Sequence, residues 1–325
     1  MWKIVLYIAI GIIALFLIFI ITTVLVHKKL FGKRFEKDPL VKYFTPEDFN
    51  ISRESFFVPT KKGKLNGYLY NKDKHTKDPL IVFAHGMWCN VDAYNQDICY
   101  YANNGYEVLA LNHHGVDKSE GKNIKGLANS LESLDETLNY IEFLDEFKGR
   151  DIYLVGHSWG AYAVLSVLKF HKEVKKVVSI SPFVTPTRLV KNMIPKFARF
   201  LIPLFLLIEK IKFGKYGNVS AIDAAADFTG DILILHSTDD PMVNYEANTK
   251  YLQSVNNKIN YRISENRQHN PNYSQESCDL MLEYNTKMRT LSKDEQIKLK
   301  KNTDYAALGI LDNDVMDEIV AFLDK

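Results

Sequence analysis

The sequence predicts an α/β chain: a mainly parallel, eight-stranded type of sheet flanked by helices, with a helical insertion and one transmembrane helix in front. Three observations predict it. From about Ser55 onward, short continuous apolar runs of strand length alternate with helical patterns, as βαβ units do. Of the 325 residues, 46% are apolar or aromatic, enough for a large core. And Ile4 to Val26 carries no charge at all; as a helix it extends about 34 Å, more than the roughly 30 Å hydrocarbon layer of a bilayer.

The N-terminal run outlasts the roughly 7–15 apolar residues of a signal peptide, and no A-x-A cleavage pattern follows it. It has no polar face, as a core helix would. Residues 1–27 therefore read as an anchor in a single-pass membrane protein. Only Lys3 precedes the run, whereas Lys28, Lys29, Lys33 and Arg34 follow it, which favours the cytoplasmic side for the rest of the chain. Residues 28–54, charged and broken by Pro39 and Pro46, read as a juxtamembrane linker to a single domain over residues 55–325.

The elements of that domain follow in order. SFFVPT and KLNGYLY around KKG predict a hairpin. PLIVFAHG (79–86), YEVLALNHHG (106–115), DIYLVGHS (151–158), KKVVSISPF (175–183) and DILILHS (231–237) are buried parallel strands, with INYRISE (259–265) as the last. Helices fit 92–105, 130–144, 159–170 and about 314–323; in the second, Leu131, Leu134, Leu138, Ile141 and Leu144 form one apolar stripe. Residues 184–228 interrupt this rhythm. They hold FLIPLFLLI (200–208), too short to span a bilayer, beside many lysines and arginines, and suit a lid or a membrane-facing patch.

Net charge is only +2, so nothing points to nucleic acid. The three cysteines, Cys89, Cys99 and Cys278, form no CxxC pair, which argues against a disulfide framework or a structural zinc site. HExxH, P-loop and GxGxxG patterns are absent, and the chemistry below calls for no cofactor and no metal.

GHSWG (156–160) is a G-x-S-x-G pattern set between a buried strand and an apolar helix, the context in which a sharp turn presents a nucleophilic serine. The candidate nucleophile is Ser158. A serine needs a base, and the base an orienting acid; in this context both follow the serine, acid first. Three histidines lie downstream. His171, at the end of the next helix, reads as a surface residue, and His236, inside a strand end, as structural. His269, in the polar loop ENRQHNPNYS, is left as the base. HSTDDPMV offers Asp239 and Asp240 as the acid, and spacing does not choose between them. The backbone N–H groups of Met87 and Trp159 are the candidate oxyanion donors. His85 precedes the serine and reads as a loop brace.

HGMWCN, LNHHGVDKSEG, GHSWG, HSTDDPMV and RQHNPN together resemble the α/β-hydrolase superfamily over roughly residues 55–325, closest to the monoacylglycerol lipase and serine aminopeptidase-like branch. That resemblance implies Asp240 as the acid, since it stands immediately before the proline-hydrophobic-valine segment. Two departures stand out. Where the branch reads Asp/Asn-x-Arg-Gly-x-Gly-x-Ser, this chain has Asn112 to Ser119 without the arginine and the second glycine. A polar stretch, Lys287 to Asp304, separates the histidine loop from the final helix.

The resemblance implies a serine hydrolase acting through an acyl-enzyme on a small-molecule or lipid ester. Thioesterase and amidase or peptidase chemistry are the alternatives on the same three residues, and a non-catalytic ligand-binding protein is the rival from another class. The membrane is the expected partner, through the N-terminal helix and the basic, apolar lid.

Overall fold

A computed structural model describes residues 2–256 and 259–325. It opens with helix α1 (Trp2–Phe31), followed by β1 (Arg53–Thr60), β2 (Gly63–Tyr70), β3 (Leu80–Ala84), α2 (Asn95–Asn103) and β4 (Glu107–Leu111). Next come α3 (Asn129–Ile141), β5 (Ile152–His157), α4 (Trp159–Ser166), β6 (Lys176–Ile180), α5 (Pro186–Met193), α6 (Ile202–Phe213) and α7 (Ala221–Ala226). The chain ends with β7 (Asp231–Ser237), α8 (Thr249–Val255), β8 (Asn260–Ser264), α9 (Gln275–Thr290), α10 (Lys293–Asn302) and α11 (Asn313–Asp324).

The strands form one eight-stranded sheet in the order β1-β2-β4-β3-β5-β6-β7-β8. The first three are antiparallel neighbours and the rest pair in parallel. The continuous apolar runs are explained by two cores, one on each face. Along β3, Leu80, Val82 and Ala84 enter the core beneath α3 and α4, while Ile81 and Phe83 enter the core beneath α2 and α11. Side chains alternate along a strand, so only a strand covered on both faces is apolar at every position.

Residues 28–54, expected to be a linker, are held against the domain. Helix α1 continues to Phe31, and the chain then lies against the loop after β4. Arg34 donates to the carbonyls of Asp117, Ser119 and Gly121, and Phe35 pairs with Val116. An arginine from another part of the sequence thus braces the loop that lacks its own. The missing second glycine stands at Asp117, held at φ 45° in the left-handed region. The polar stretch 287–304 forms the end of α9 and all of α10, and Lys300 bonds Asp38 (2.6 Å), fastening it to the same segment.

Residues between β6 and β7 form the insertion, with α5 and α6 as its body. Helix α1 packs on it: His27 Nε2 donates to Glu209 Oε1 at 2.7 Å, and Lys212 Nζ donates to His27 Nδ1 at 3.1 Å. Glu209 is fully buried, and its other oxygen accepts the Ala128 N–H (3.2 Å). Gly126 makes room; a Cβ there would lie 2.2 Å from Glu209 Oε1.

Removing one partner of a buried polar pair leaves the other unsatisfied, whereas replacing both with apolar side chains does not. His27→Ala is expected to lower the unfolding free energy by about 3 kcal/mol. The double replacement His27→Leu, Glu209→Leu should cost less than half as much. Denaturant melts of the detergent-solubilised chain, followed by tryptophan fluorescence, measure both.

Candidate active site

The carboxyl ends of β3, β5, β6 and β7 converge on one edge of the sheet, where doubly wound folds place their ligands. Ser158 sits between β5 and α4 at φ 56°, ψ −109°, a strained conformation for a residue with a side chain. Its backbone N–H donates to Ile180 O (2.8 Å), tying the turn to β6. The flanking glycines are sterically required. A Cβ on Gly160 would lie 1.9 Å from Ala84 O, and one on Gly156 would lie 2.5 Å from Gly160 O.

Asp240 and His269 meet directly. His269 Nδ1 lies 2.7 Å from Asp240 Oδ2, which sets Nδ1 as the protonated nitrogen and leaves Nε2 as the basic one. Asp240 Oδ1 accepts the N–H groups of Met242 and Val243, both at 2.8 Å. Burial alone would raise the Asp240 carboxyl; the charges and hydrogen bonds of His269 and His236 hold it well below its ordinary value. Asp239 is exposed; it bonds Ser237 Oγ and accepts the Gln268 N–H (3.3 Å), so it braces the histidine loop instead.

His236 is structural in a specific sense. Its Nε2 reaches Asp240 Oδ2 (3.1 Å) and Val243 O (3.0 Å), and its Nδ1 reaches Thr249 Oγ1 (2.6 Å). Asp240 is therefore gripped by two imidazoles. His171 corrects the sequence reading: it is buried, not on the surface, because it bonds Asp135 (3.0 Å) and Glu173 (2.5 Å) behind α3. His85 is fully buried, with Nδ1 on Gly86 O (2.7 Å) and Nε2 accepting the His113 N–H (3.3 Å). Burial pushes its pKa down to about 4, so it stays neutral.

One site residue escaped the sequence reading. His157, the variable residue before Ser158, joins the loops on either side. The Gly86 N–H donates to Tyr94 Oη (3.1 Å), whose hydroxyl faces His157 Nδ1 (2.8 Å). His157 Nε2 faces the carbonyl of His269 (2.9 Å), which also accepts from Ser181 Oγ (3.0 Å). With Tyr94 donating to Nδ1, Nε2 carries the proton, and every group in the chain is satisfied. Burial and the neighbouring His269 push the His157 pKa down to about 3, so the link holds a neutral imidazole. Only the side-chain identity at the first variable position of G-x-S-x-G hinted at this.

The oxyanion candidates lie on either side of the serine. Trp159 opens α4, where the first N–H groups have no intrahelical acceptor. Met87 follows Gly86, and a Cβ on Gly86 would lie 3.5 Å from Ser158 Cβ, so this loop runs against Ser158. The Trp159 indole donates to Leu127 O (2.6 Å), and the Met87 side chain packs against the core.

Beneath the histidine loop lies Asp97, buried and bonded by Asn272 Nδ2 (2.7 Å). Burial raises its carboxyl to about 7. Its folded pKa thus exceeds the unfolded one, so its contribution is complete below about pH 4 and is lost as pH rises through about 7. Asp97→Asn should therefore gain on the parent as pH rises. Melting temperatures should be within about 2 °C of each other at pH 5, with the variant several degrees higher at pH 8.

Comparison with known proteins agrees with this architecture. A family model described as serine aminopeptidase, S33, matches residues 75–219. Acyl-coenzyme A thioesterase 1 of Mus musculus is 26% identical over 167 residues, 51% of this chain and 38% of that protein. The mitochondrial acyl-coenzyme A thioesterase 2 of Mus musculus is 26% identical over the same length, 35% of its own. The chain thus spans little more than a third of these curated relatives. Among solved structures, the Pyrococcus furiosus esterase Pf2001 superposes with a TM-score of 0.57 at 18% identity, covering 78% of this chain and 96% of that one. Est1E of Butyrivibrio proteoclasticus, with ferulic acid bound, gives 0.52 at 20% identity, covering 75% and 99%. The sheet order, the strand–Ser158–helix turn and the superposed structures show an α/β-hydrolase fold, and residues 75–219 are similar to the serine aminopeptidase, S33, family.

Proposed function

We propose that the protein hydrolyses lipophilic carboxylic esters through an acyl-enzyme on Ser158. The observation that carries the reading is the 2.7 Å bond from His269 Nδ1 to buried Asp240, beside a serine held at φ 56°. That bond leaves His269 Nε2 as the free base. Nε2 takes the Ser158 proton as Oγ attacks the carbonyl carbon. The N–H groups of Met87 and Trp159 hold the oxyanion. Collapse breaks the ester bond, and the leaving alkoxide takes the proton back from His269. Water, deprotonated by the same nitrogen, then attacks the acyl-enzyme and releases the acid, returning the proton to Ser158.

The esterases that superpose on the chain support the ester reading. A second reading, an acyl thioester substrate, has the curated thioesterase relatives in its favour. The same steps serve it with a thiolate leaving group. Residues 1–27 would then be a membrane anchor, 28–54 a juxtamembrane segment and 55–325 the catalytic domain, with the lid at about 184–228. Helix α1 is long and apolar enough to cross a bilayer. The basic residues after it favour the cytoplasmic side for the catalytic domain.

Reaction of the full-length protein with a fluorophosphonate probe tests the assignment. Ser158→Ala should abolish labelling. His269→Ala and Asp240→Asn should slow it by roughly 10³–10⁴-fold, while Asp239→Asn stays within about threefold. A folded parent protein that never labels would sink the hydrolase reading. Parallel assays on p-nitrophenyl esters, acyl thioesters and aminoacyl amides separate the substrate classes.

A further inference from the structure

Asp240 and His269 both stand on loops, yet the bond between them is fastened to a strand. His236 lies in β7, where it pairs with Ile263 of β8, and its side chain is fully buried. Its Nε2 lies 3.1 Å from Asp240 Oδ2 and 3.0 Å from Val243 O. Both neighbours accept: one is a carboxylate oxygen that already accepts from His269 Nδ1 (2.7 Å), the other a carbonyl. Nε2 therefore carries a proton. Nδ1 meets Thr249 Oγ1 at 2.6 Å, and Thr249 is buried at the start of α8. The ring is thus held at both nitrogens, and its burial keeps water from standing in for either bond.

The bond from His236 completes the carboxylate. Oδ1 accepts the N–H groups of Met242 and Val243, both at 2.8 Å, and Oδ2 accepts from His269 and His236. About four donors are what a carboxylate takes. Each donor stabilises the negative charge, which leaves less of it to stabilise a proton on the imidazole opposite. The two histidines therefore compete for one oxygen. Other ionisable groups stand around them. The His157 ring is 4.8 Å from the His269 ring, and the Tyr245 ring lies edge-on to His236 at 5.8 Å. Lys250 and Glu246, paired with each other, are next to the Tyr245 phenol, and Asp239 turns to Ser237 and the Gln268 N–H. Among the described residues, none of these side chains bonds the Asp240 carboxylate.

We propose that His236 is a positioning residue of the reaction: its Nε2–H shares the charge of Asp240 and so sets the pH at which His269 can act as the base. The proposal rests on the hydrolase reading above and adds a residue to it, with Thr249 as the hydroxyl that keeps the ring in place. His236 acts through Asp240. With it, the site works at lower pH than the Asp240–His269 pair would alone.

The test is the rate of fluorophosphonate labelling of the detergent-solubilised full-length protein between about pH 5 and pH 9. The rate rises as the base loses its proton, so the midpoint of the acid limb reports that step. His236→Leu removes the donor, and His236→Asn keeps reach to Thr249 but not to Asp240. Each should move the midpoint up by about one pH unit, which is a roughly tenfold slower reaction on the acid side. His236→Gln, whose amide N–H can replace Nε2–H, should stay within about 0.3 unit of the parent. A residue that merely packs would lower the plateau rate and leave the midpoint in place. That result, in Leu and Asn variants with cooperative melts, overturns the proposal. If neither variant folds, ¹⁵N NMR of the histidine-labelled parent decides, with the His236 signal assigned by its loss in His236→Gln. A proton on Nε2 upholds the proposal, and an unprotonated Nε2 overturns it. A folded parent that never labels removes the hydrolase reading and this one with it. A parent that labels, with a midpoint indifferent to all three substitutions, removes this one alone.

Discussion

The chain crosses itself at Ser158 with almost no room to spare. β5 must end, reverse through a left-handed serine and start α4 directly over the carbonyl of Ala84. A methyl group at Gly160 would overlap that oxygen, so helix and strand approach as closely as backbone permits. The strain is affordable because β5 is buried on both faces and locked between β3 and β6. Everything else at the site is arranged around this turn. The serine N–H is bound by Ile180, the residue before it holds the His269 backbone, and the residue after it opens helix α4.

His157 shows how a loop histidine can be positioned without a rigid element of its own. His269 lies on a loop, and loops move unless their backbone groups are taken up. Its carbonyl accepts from both His157 and Ser181, its ring is fixed by Asp240, and Asn272 is held by buried Asp97. Asp240 is itself fixed by two backbone N–H groups and a second imidazole, His236. Few of these groups take part in the bond changes. In the proposed reaction their work is preorganisation: they confine His269 and Asp240 to one geometry.

Legibility in the sequence followed the range of the interactions. The parallel strands were readable because burial on both faces leaves a continuous apolar run, and Leu80 to Ala84 is such a run. The G-x-S-x-G turn was readable because its steric demand is local. Asp240 was not separable from Asp239 by spacing, since both occupy the same turn; they differ in which one faces His269, a contact 29 residues away in the chain. His171 was misread for the same reason, as its partners Asp135 and Glu173 converge only in the fold. Arg34 could not be read at all: nothing about a basic residue after an apolar helix says that its guanidinium will hold three carbonyls of a loop more than 80 residues downstream.

Arg34 also changes what the N-terminal segment is. The loop from Asn112 to Ser119 lies beside the loop after β3: the Asn112 side chain accepts the Val91 N–H (2.9 Å), and the His113 ring lies 4.1 Å from the His85 ring, tilted against it. Arg34, Phe35 and the His27–Glu209 pair therefore connect the end of α1 to both the loop after β4 and the insertion through contacts of a few ångströms. A flexible tether would let the domain tumble at the end of α1. These contacts instead give it one orientation relative to that helix, with the insertion turned toward the helix's apolar length. The direction in which the site faces relative to α1 is thus set by side chains immediately after the apolar run, and a chain without α1 would lose packing on its insertion as well.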